Sequence, residues 1–164
     1  MLRTETLDME WARACRRAAD FASLTKPRVV LMVLVTTFVG FYLGSSVTPD
    51  YTALLQTLIG TALAAAGTLA LNQFLEREVD AQMERTRLRP LPDGRLQPTE
   101  ALAFGAAITA AGLLYLAISV NALSGLVAAT IVVSYLFLYT PLKRKTALCS
   151  VVGAIPGEIG RAHV

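Results

Sequence analysis

The sequence predicts an all-α integral membrane protein, and three observations predict it. Long uncharged apolar stretches recur along the chain, basic residues gather in alternate connections between them, and acids mix with arginines where one apolar run ends. With 54% hydrophobic residues in 164 and a mean hydropathy of +0.53, the chain is too apolar for an ordinary soluble domain of its length. Cys15 and Cys149 lie far apart in unrelated contexts, so they spell neither a disulfide framework nor a metal spacing and read as structural. His163, the single histidine, stands one residue from the end without a ligand set around it.

Residues 1–24 form the first unit. Leu7, Trp11, Ala14, Ala18 and Phe21 recur at helical spacing, with Arg13, Arg16, Arg17 and Asp20 on the other positions, which predicts an amphipathic helix on the cytoplasmic membrane surface. A cleaved signal peptide is not expected, because the apolar run starts late and no small-residue cleavage pattern follows a short core. Pro27 restricts Lys26 and launches the first span.

Val29 to Val47 gives 19 residues without a charge, enough to cross a hydrocarbon layer of about 30 Å. Ser45 to Tyr51, with Pro49 and Asp50, is a turn, and Tyr51 to Phe74 is the second span, rich in the Ala and Gly that helices packed in lipid prefer. A polar connection follows. Pro90, Pro92, Gly94 and Pro98 require a helix that continues beyond Phe74 to stop near Leu88. Thr99 with Glu100 is the expected cap of the next helix. Ala101 to Leu142 holds 42 residues without a charge, too many for one crossing. Asn121, Ser124 and Gly125 divide them into a third span ending near Ser119 and a fourth ending near Tyr139. Thr146 to Gly157 begins a fifth.

Charge placement orients these spans. Lys and Arg number six before the first span, five between the second and third, three between the fourth and fifth, and none in the two turns at 48–50 and 120–124. The positive-inside rule therefore puts the amino terminus and both basic connections in the cytoplasm.

The chemistry concentrates at Asn72 to Pro92, NQFLEREVDAQMERTRLRPLP. Polar and ionisable groups at the edge of a membrane span point to function. On a continuing helix Asn72, Glu76 and Asp80 share one face, each about 6 Å of rise from the next. Such a row of oxygen donors suits Mg2+, which takes one or two carboxylates and completes its shell with water and substrate phosphate. Arg85, Arg87 and Arg89 offer forked donors to phosphate just beyond. The same pattern also describes a solvated helix end laced with ordinary ion pairs. A nucleic-acid surface is not expected, since acids interrupt the basic run and membrane spans flank it.

This stretch resembles the first conserved motif of the UbiA superfamily of intramembrane prenyltransferases, and Glu76 in place of the usual Asp resembles its heme-farnesylating branch. TKPR at Thr25 to Arg28, YTPLKRKT at Tyr139 to Thr146 and GAIPG at Gly153 to Gly157 extend the resemblance over residues 22–157. It implies a UbiA-like transmembrane helix bundle, here about four complete spans plus the start of a fifth, with residues 25–157 as part of a prenyltransferase domain. It implies transfer of a farnesyl group from farnesyl diphosphate to the vinyl group of protoheme IX, with Mg2+ as cofactor. Asn72, Glu76 and Asp80 are then the metal and catalytic set, and Arg77, Arg85, Arg89, Lys143 and Arg144 the diphosphate set. Simple topological anchoring is the competing role for Lys143 and Arg144, and the favoured one for Lys26 and Arg28. Tyr115, Tyr135 and Tyr139 either face the reacting cation or porphyrin or serve as packing and interface residues.

The resemblance further implies an inner (plasma) membrane protein with heme A synthase or oxidase assembly factors as partners beside the lipid bilayer. It also implies a second acidic motif on a later helix, so this chain is expected to be an amino-terminal fragment, inactive alone, with residues 158–164 a non-native tail. Two other readings stay open: a sister enzyme using an aromatic acceptor such as 4-hydroxybenzoate, and a non-catalytic scaffold or transporter fragment indifferent to Glu76 and Asp80.

Overall fold

Every regular element is helical in the computed structural model, which describes residues 2–45 and 50–142, with side chains of the first helix from residue 10 onward. Helix α1 spans Leu2–Leu24, α2 Pro27–Gly44, α3 Tyr51–Gln82 and α4 Pro98–Ser119. Helix α5, Ala122–Val133, runs into a π-helical stretch, Ser134–Tyr139, and then into one last turn, α6, Thr140–Leu142. Four of these are long and apolar enough to cross a membrane: α2, α3, α4 and the continuous run Ala122–Leu142.

Local chemistry sets the boundaries. Pro27 is the first residue of α2, and Lys26 before it takes the left-handed conformation at φ 47° and ψ 66°. Proline disfavours the right-handed helical region at the residue before it, and Lys26 escapes to the opposite hand and so ends α1. The first span thus begins two residues earlier than the uncharged run and ends at Gly44; residues 46–49, up to the Val47 expected as its end, lie outside the described residues. Asp50 starts α3, its Oδ1 accepting from the N–H groups of Thr52 and Ala53 at 2.8 and 3.2 Å. A carboxylate there satisfies orphan donors and complements the helix dipole. Asn121 separates α4 from α5 as the sequence predicts, its Oδ1 accepting from Ser124 N–H at 2.6 Å.

Two boundaries differ from expectation. Helix α3 stops at Gln82, six residues short of Leu88, because Thr86 folds back and its hydroxyl donates to the Asp80 carbonyl at 2.8 Å. That bond takes up one of the carbonyls a helix end leaves unpaired, and residues 83–96 continue as a chain of turns rather than as helix. Helix α4 is capped by Gln97 rather than Thr99: the Gln97 side chain accepts from the Glu100 N–H, while Glu100 Oε2 accepts from the Gln97 N–H at 3.3 Å. Pro98 at the first helical position removes an N–H that would have had no partner.

Antiparallel α3 and α4 form the closest pair, and small residues make it possible. A Cβ on Gly67 would sit 2.5 Å from the Thr109 nitrogen and 2.7 Å from the Gly105 carbonyl oxygen, and one on Gly112 would strike the Ala64 backbone. The backbones are therefore in direct contact, the small-residue mode of helix association in lipid. At the end of this pair near the turns, Leu24, Ala70, Leu91, Leu96 and Ala101 form the buried apolar cluster, with Phe21, Phe74 and Phe104 packed against it. The turn segment therefore has a core of its own.

Candidate functional site

The last turns of α3 carry the acid row, and the structure divides it between two neighbours. Asn72 is buried, at 4% exposure. Its Nδ2 donates to Glu76 Oε2 at 3.0 Å, and its Oδ1 accepts from the Thr140 hydroxyl of α6 at 2.9 Å. Asp80, buried at 5%, has Oδ2 bridged by Arg89 Nη1 at 2.6 Å. So one end of the row is tied to the fourth span and the other to the turn segment. Glu76, half-buried, lies between them.

The arginines separate in the same way. Arg89 meets the row directly. Arg77 sits on the flank of α3, over the Phe74 ring at 4.6 Å, donating to the Phe74 carbonyl at 3.0 Å and pairing with Glu78 at 3.3 Å. Arg85 and Arg87 are exposed on the turns. Lys143 and Arg144 lie outside the described residues. Tyr135 and Tyr139 stack at 5.3 Å between centroids in the π-helical stretch just before Thr140, whereas Tyr115 packs beside Gly60 on the α3–α4 seam.

A cavity of about 540 Å³ opens behind Arg89, lined by Asp20, Ser23, Lys26, Gln73 and Arg95 among others. Gln73, at 2% exposure, donates through Nε2 to the Leu24 and Ser23 carbonyls at 2.9 and 3.3 Å. These two bonds take up carbonyls at the end of α1 and fasten the helix to α3. Arg95 adds a second tie, bridging Asp20 at 2.5 Å and Asp93 at 2.8 Å, and Arg17 a third, to Glu100 at 2.6 Å. The carboxyl-terminal half of α1 is thus pinned to α3, to the turn segment and to the start of α4. Its earlier described residues, Trp11 at 71% exposure among them, project away from the protein.

The donor set is compatible with Mg2+. Asn72, Glu76 and Asp80 offer only oxygen as ligands, on successive turns of one helix face. Among the described residues no three His, Cys, Asp or Glu side chains form a ready metal cage. Mg2+ does not need one, because it keeps water and binds substrate phosphate alongside one or two carboxylates. Thr140, Gln73 and the Asp20–Arg95 bridge escaped sequence reasoning. The one signal for Thr140 was a hydroxyl beside a proline at the end of an apolar run.

The model of the UbiA prenyltransferase family matches residues 33–160. This chain belongs to the UbiA prenyltransferase family. It is 48% identical over 149 residues to a protein of Solibacter usitatus named protoheme IX farnesyltransferase, covering 85% of this chain and 51% of that one. Proteins of the same name from Sorangium cellulosum and Myxococcus xanthus are 52% and 42% identical, over 62% and 87% of this chain and 36% and 48% of theirs. The chain therefore spans about half the length of the curated relatives it matches, or less. No solved structure matches it. Family membership and the four apolar helices make it a multi-pass membrane protein.

Proposed function

We propose that this chain is part of a Mg2+-dependent prenyltransferase that moves a farnesyl group from farnesyl diphosphate to the vinyl group of protoheme IX. The observation that carries the reading is the Asn72–Glu76–Asp80 row gripped by Arg89 at the end of a membrane span, in a chain whose relatives are named for that reaction. As the bond from the allylic carbon to the diphosphate breaks, negative charge collects on the leaving oxygens and positive charge on the carbon. Bound Mg2+ would neutralise that leaving charge. Arg89, beside the row, and Arg85, on the same turns, supply forked donors to the diphosphate. Lys143 and Arg144 complete the basic set, and Arg77 serves from the flank of α3. The vinyl carbon bonds to the farnesyl carbon as its bond to diphosphate breaks, water adds its hydroxyl at the adjacent position, and the proton it sheds leaves with the departing diphosphate. Apolar helices around the reacting carbon keep other water from capturing it first.

The same reading places the chain in the inner (plasma) membrane with its amino terminus in the cytoplasm, supported by the basic connections at residues 77–95 and 143–145. Helix α1 then lies on that surface with Trp11 toward the lipid. Heme A synthase or oxidase assembly proteins are the natural recipients of the product.

The test is heme mass analysis of membranes carrying the protein extended to the length of its relatives, supplied with protoheme, farnesyl diphosphate and Mg2+. Farnesylated heme is expected, falling at least about 100-fold in Glu76→Gln and in Asp80→Asn, the scale on which single transition-state contacts act. Prenylation of 4-hydroxybenzoate instead moves the protein to a sister activity, and no transfer to either acceptor overturns the enzyme reading.

A further inference from the structure

The contact between Thr140 and Asn72 joins residues 68 positions apart in the chain, and its geometry contains a choice. The Thr140 hydroxyl has two acceptors at the same distance, Asn72 Oδ1 at 2.9 Å and the Tyr135 carbonyl at 2.9 Å. A hydroxyl has one proton to donate but can also accept. The Tyr135 carbonyl is not stranded by either choice, because in the π-helical register the Thr140 backbone N–H donates to it as well. An α-helical register would pair that N–H one residue later, with the Leu136 carbonyl. Thr140 itself is buried, at 3% exposure, as is Asn72 at 4%, so neither side chain can turn to bulk water for a substitute partner.

Two complete hydrogen-bond arrangements follow. In the first, the one observed, Thr140 donates to Asn72 Oδ1 and the Asn72 nitrogen donates to Glu76 Oε2 at 3.0 Å. In the second, Thr140 donates to the Tyr135 carbonyl and accepts from the Asn72 nitrogen, and the Asn72 oxygen turns toward Glu76. Two oxygens facing each other repel, so the second arrangement is favourable only with a cation between them. Both leave Asn72 and Thr140 paired, which matters because a buried polar group left unpaired loses its hydration with nothing in return.

We propose that Thr140 is the positioning residue that lets the Asn72 amide reverse, offering nitrogen to Glu76 without a cation and oxygen to a divalent cation when one binds. The π-helical stretch is what holds the Thr140 hydroxyl at the midpoint of that exchange. The proposal rests on the cation reading of the acid row and concerns binding, so it is tested without turnover. Neither Thr140 nor the π-helical stretch need touch substrate for it to hold.

Mn2+ binding followed by electron paramagnetic resonance, on the protein extended to its relatives' length in nanodiscs, gives the decisive comparison. Thr140→Val keeps the shape but has no hydroxyl, and is expected to weaken Mn2+ binding roughly 10-fold or more, the scale on which partners of metal ligands act. Thr140→Ser restores the hydroxyl and stays within about threefold. Thr109→Val removes a buried hydroxyl bonded to the Gly105 carbonyl on the seam, away from the row, and leaves Mn2+ affinity unchanged. An unchanged affinity in Thr140→Val, or an equal loss in Thr109→Val, overturns the proposal. A wild type that binds no Mn2+ overturns the cation reading beneath it instead. Should Thr140→Val fail to fold, side-chain amide resonances of 15N-asparagine in the unaltered protein decide. The Asn72 pair, assigned by its loss in Asn72→Asp, shifts on adding Mg2+ if the amide reverses, and a fixed pair sinks the proposal.

Discussion

Helices α2 and α3 carry equally apolar stretches that meet opposite fates. Their most apolar windows have the same mean hydropathy, 1.7, yet 6% of the α2 window is buried within the described protein against 39% of the α3 window. The difference is side-chain size. Helix α2 presents Val29, Leu31, Met32, Val35, Phe38 and Val39 outward, and bulky side chains keep a neighbouring backbone at a distance. Helix α3 meets α4 backbone to backbone at Ala64 and Gly67, and Gly60 makes room for the Leu116 and Tyr115 side chains. In lipid, tails are as apolar as leucine, so hydropathy decides whether a helix enters the membrane and close packing decides what it touches there.

The sharpest way to break this contrast is to put bulk into the seam. Gly67→Val drives a side chain into the Gly105 carbonyl and the Thr109 nitrogen, and neither backbone can yield alone. A loss of about 3 kcal/mol, the upper end of ordinary overpacking costs, is expected in thermal unfolding in micelles, with α3 and α4 separating. A stability within experimental error of wild type would mean that the two helices do not touch there.

A smaller effect separates the half-buried Arg89 from its exposed neighbours. Arg89→Ala leaves the Asp80 carboxylate, with 8% of its side chain exposed, without its partner. A cost of about 2–3 kcal/mol is expected, the lower part of the range for breaking buried charge pairs, because Arg89 is itself a quarter exposed. Arg85→Ala, at an exposed turn position, changes unfolding by less than about 0.5 kcal/mol. Equal effects of the two would show that Asp80 draws no stability from the bridge.

The least change is expected on α2. Phe38→Ala removes a side chain that is 46% exposed and shifts unfolding of this chain by under about 1 kcal/mol, against the 3–5 kcal/mol usual for a packed phenylalanine. A loss of the packed size would show that α2 is covered by protein rather than by lipid.

Much of this could be read directly. Unbroken apolar runs marked every described span, because a charge inside hydrocarbon is costly at any position. Asn121 marked the break between α4 and α5, since its side chain pairs with its own backbone three residues on. The four-residue spacing of Asn72, Glu76 and Asp80 put them on one face as soon as the helix was granted. The end of that helix was harder: Pro90 forbids helix beyond it but does not say where helix stops before it, and Thr86, six residues from Asp80, made that decision.

What the sequence by itself determined about this protein is therefore whatever depends on neighbours within one or two turns: which segments enter the membrane, where Asn121 parts two of them, and which side of a helix bears the acids. Only the tertiary structure decided how the acids are held. Arg89 rather than Arg85 or Arg87 takes Asp80 because the turns after Gln82 aim it there. Thr140 takes Asn72 because the fourth span returns beside the second with the stretch before Thr140 wound as a π-helix. Gln73 holds the end of α1 across 49 residues. These bonds join groups whose separation along the chain carries no information about their separation in space, so no periodicity could announce them. Burial then makes each bond selective, because a buried donor or acceptor has no water to fall back on.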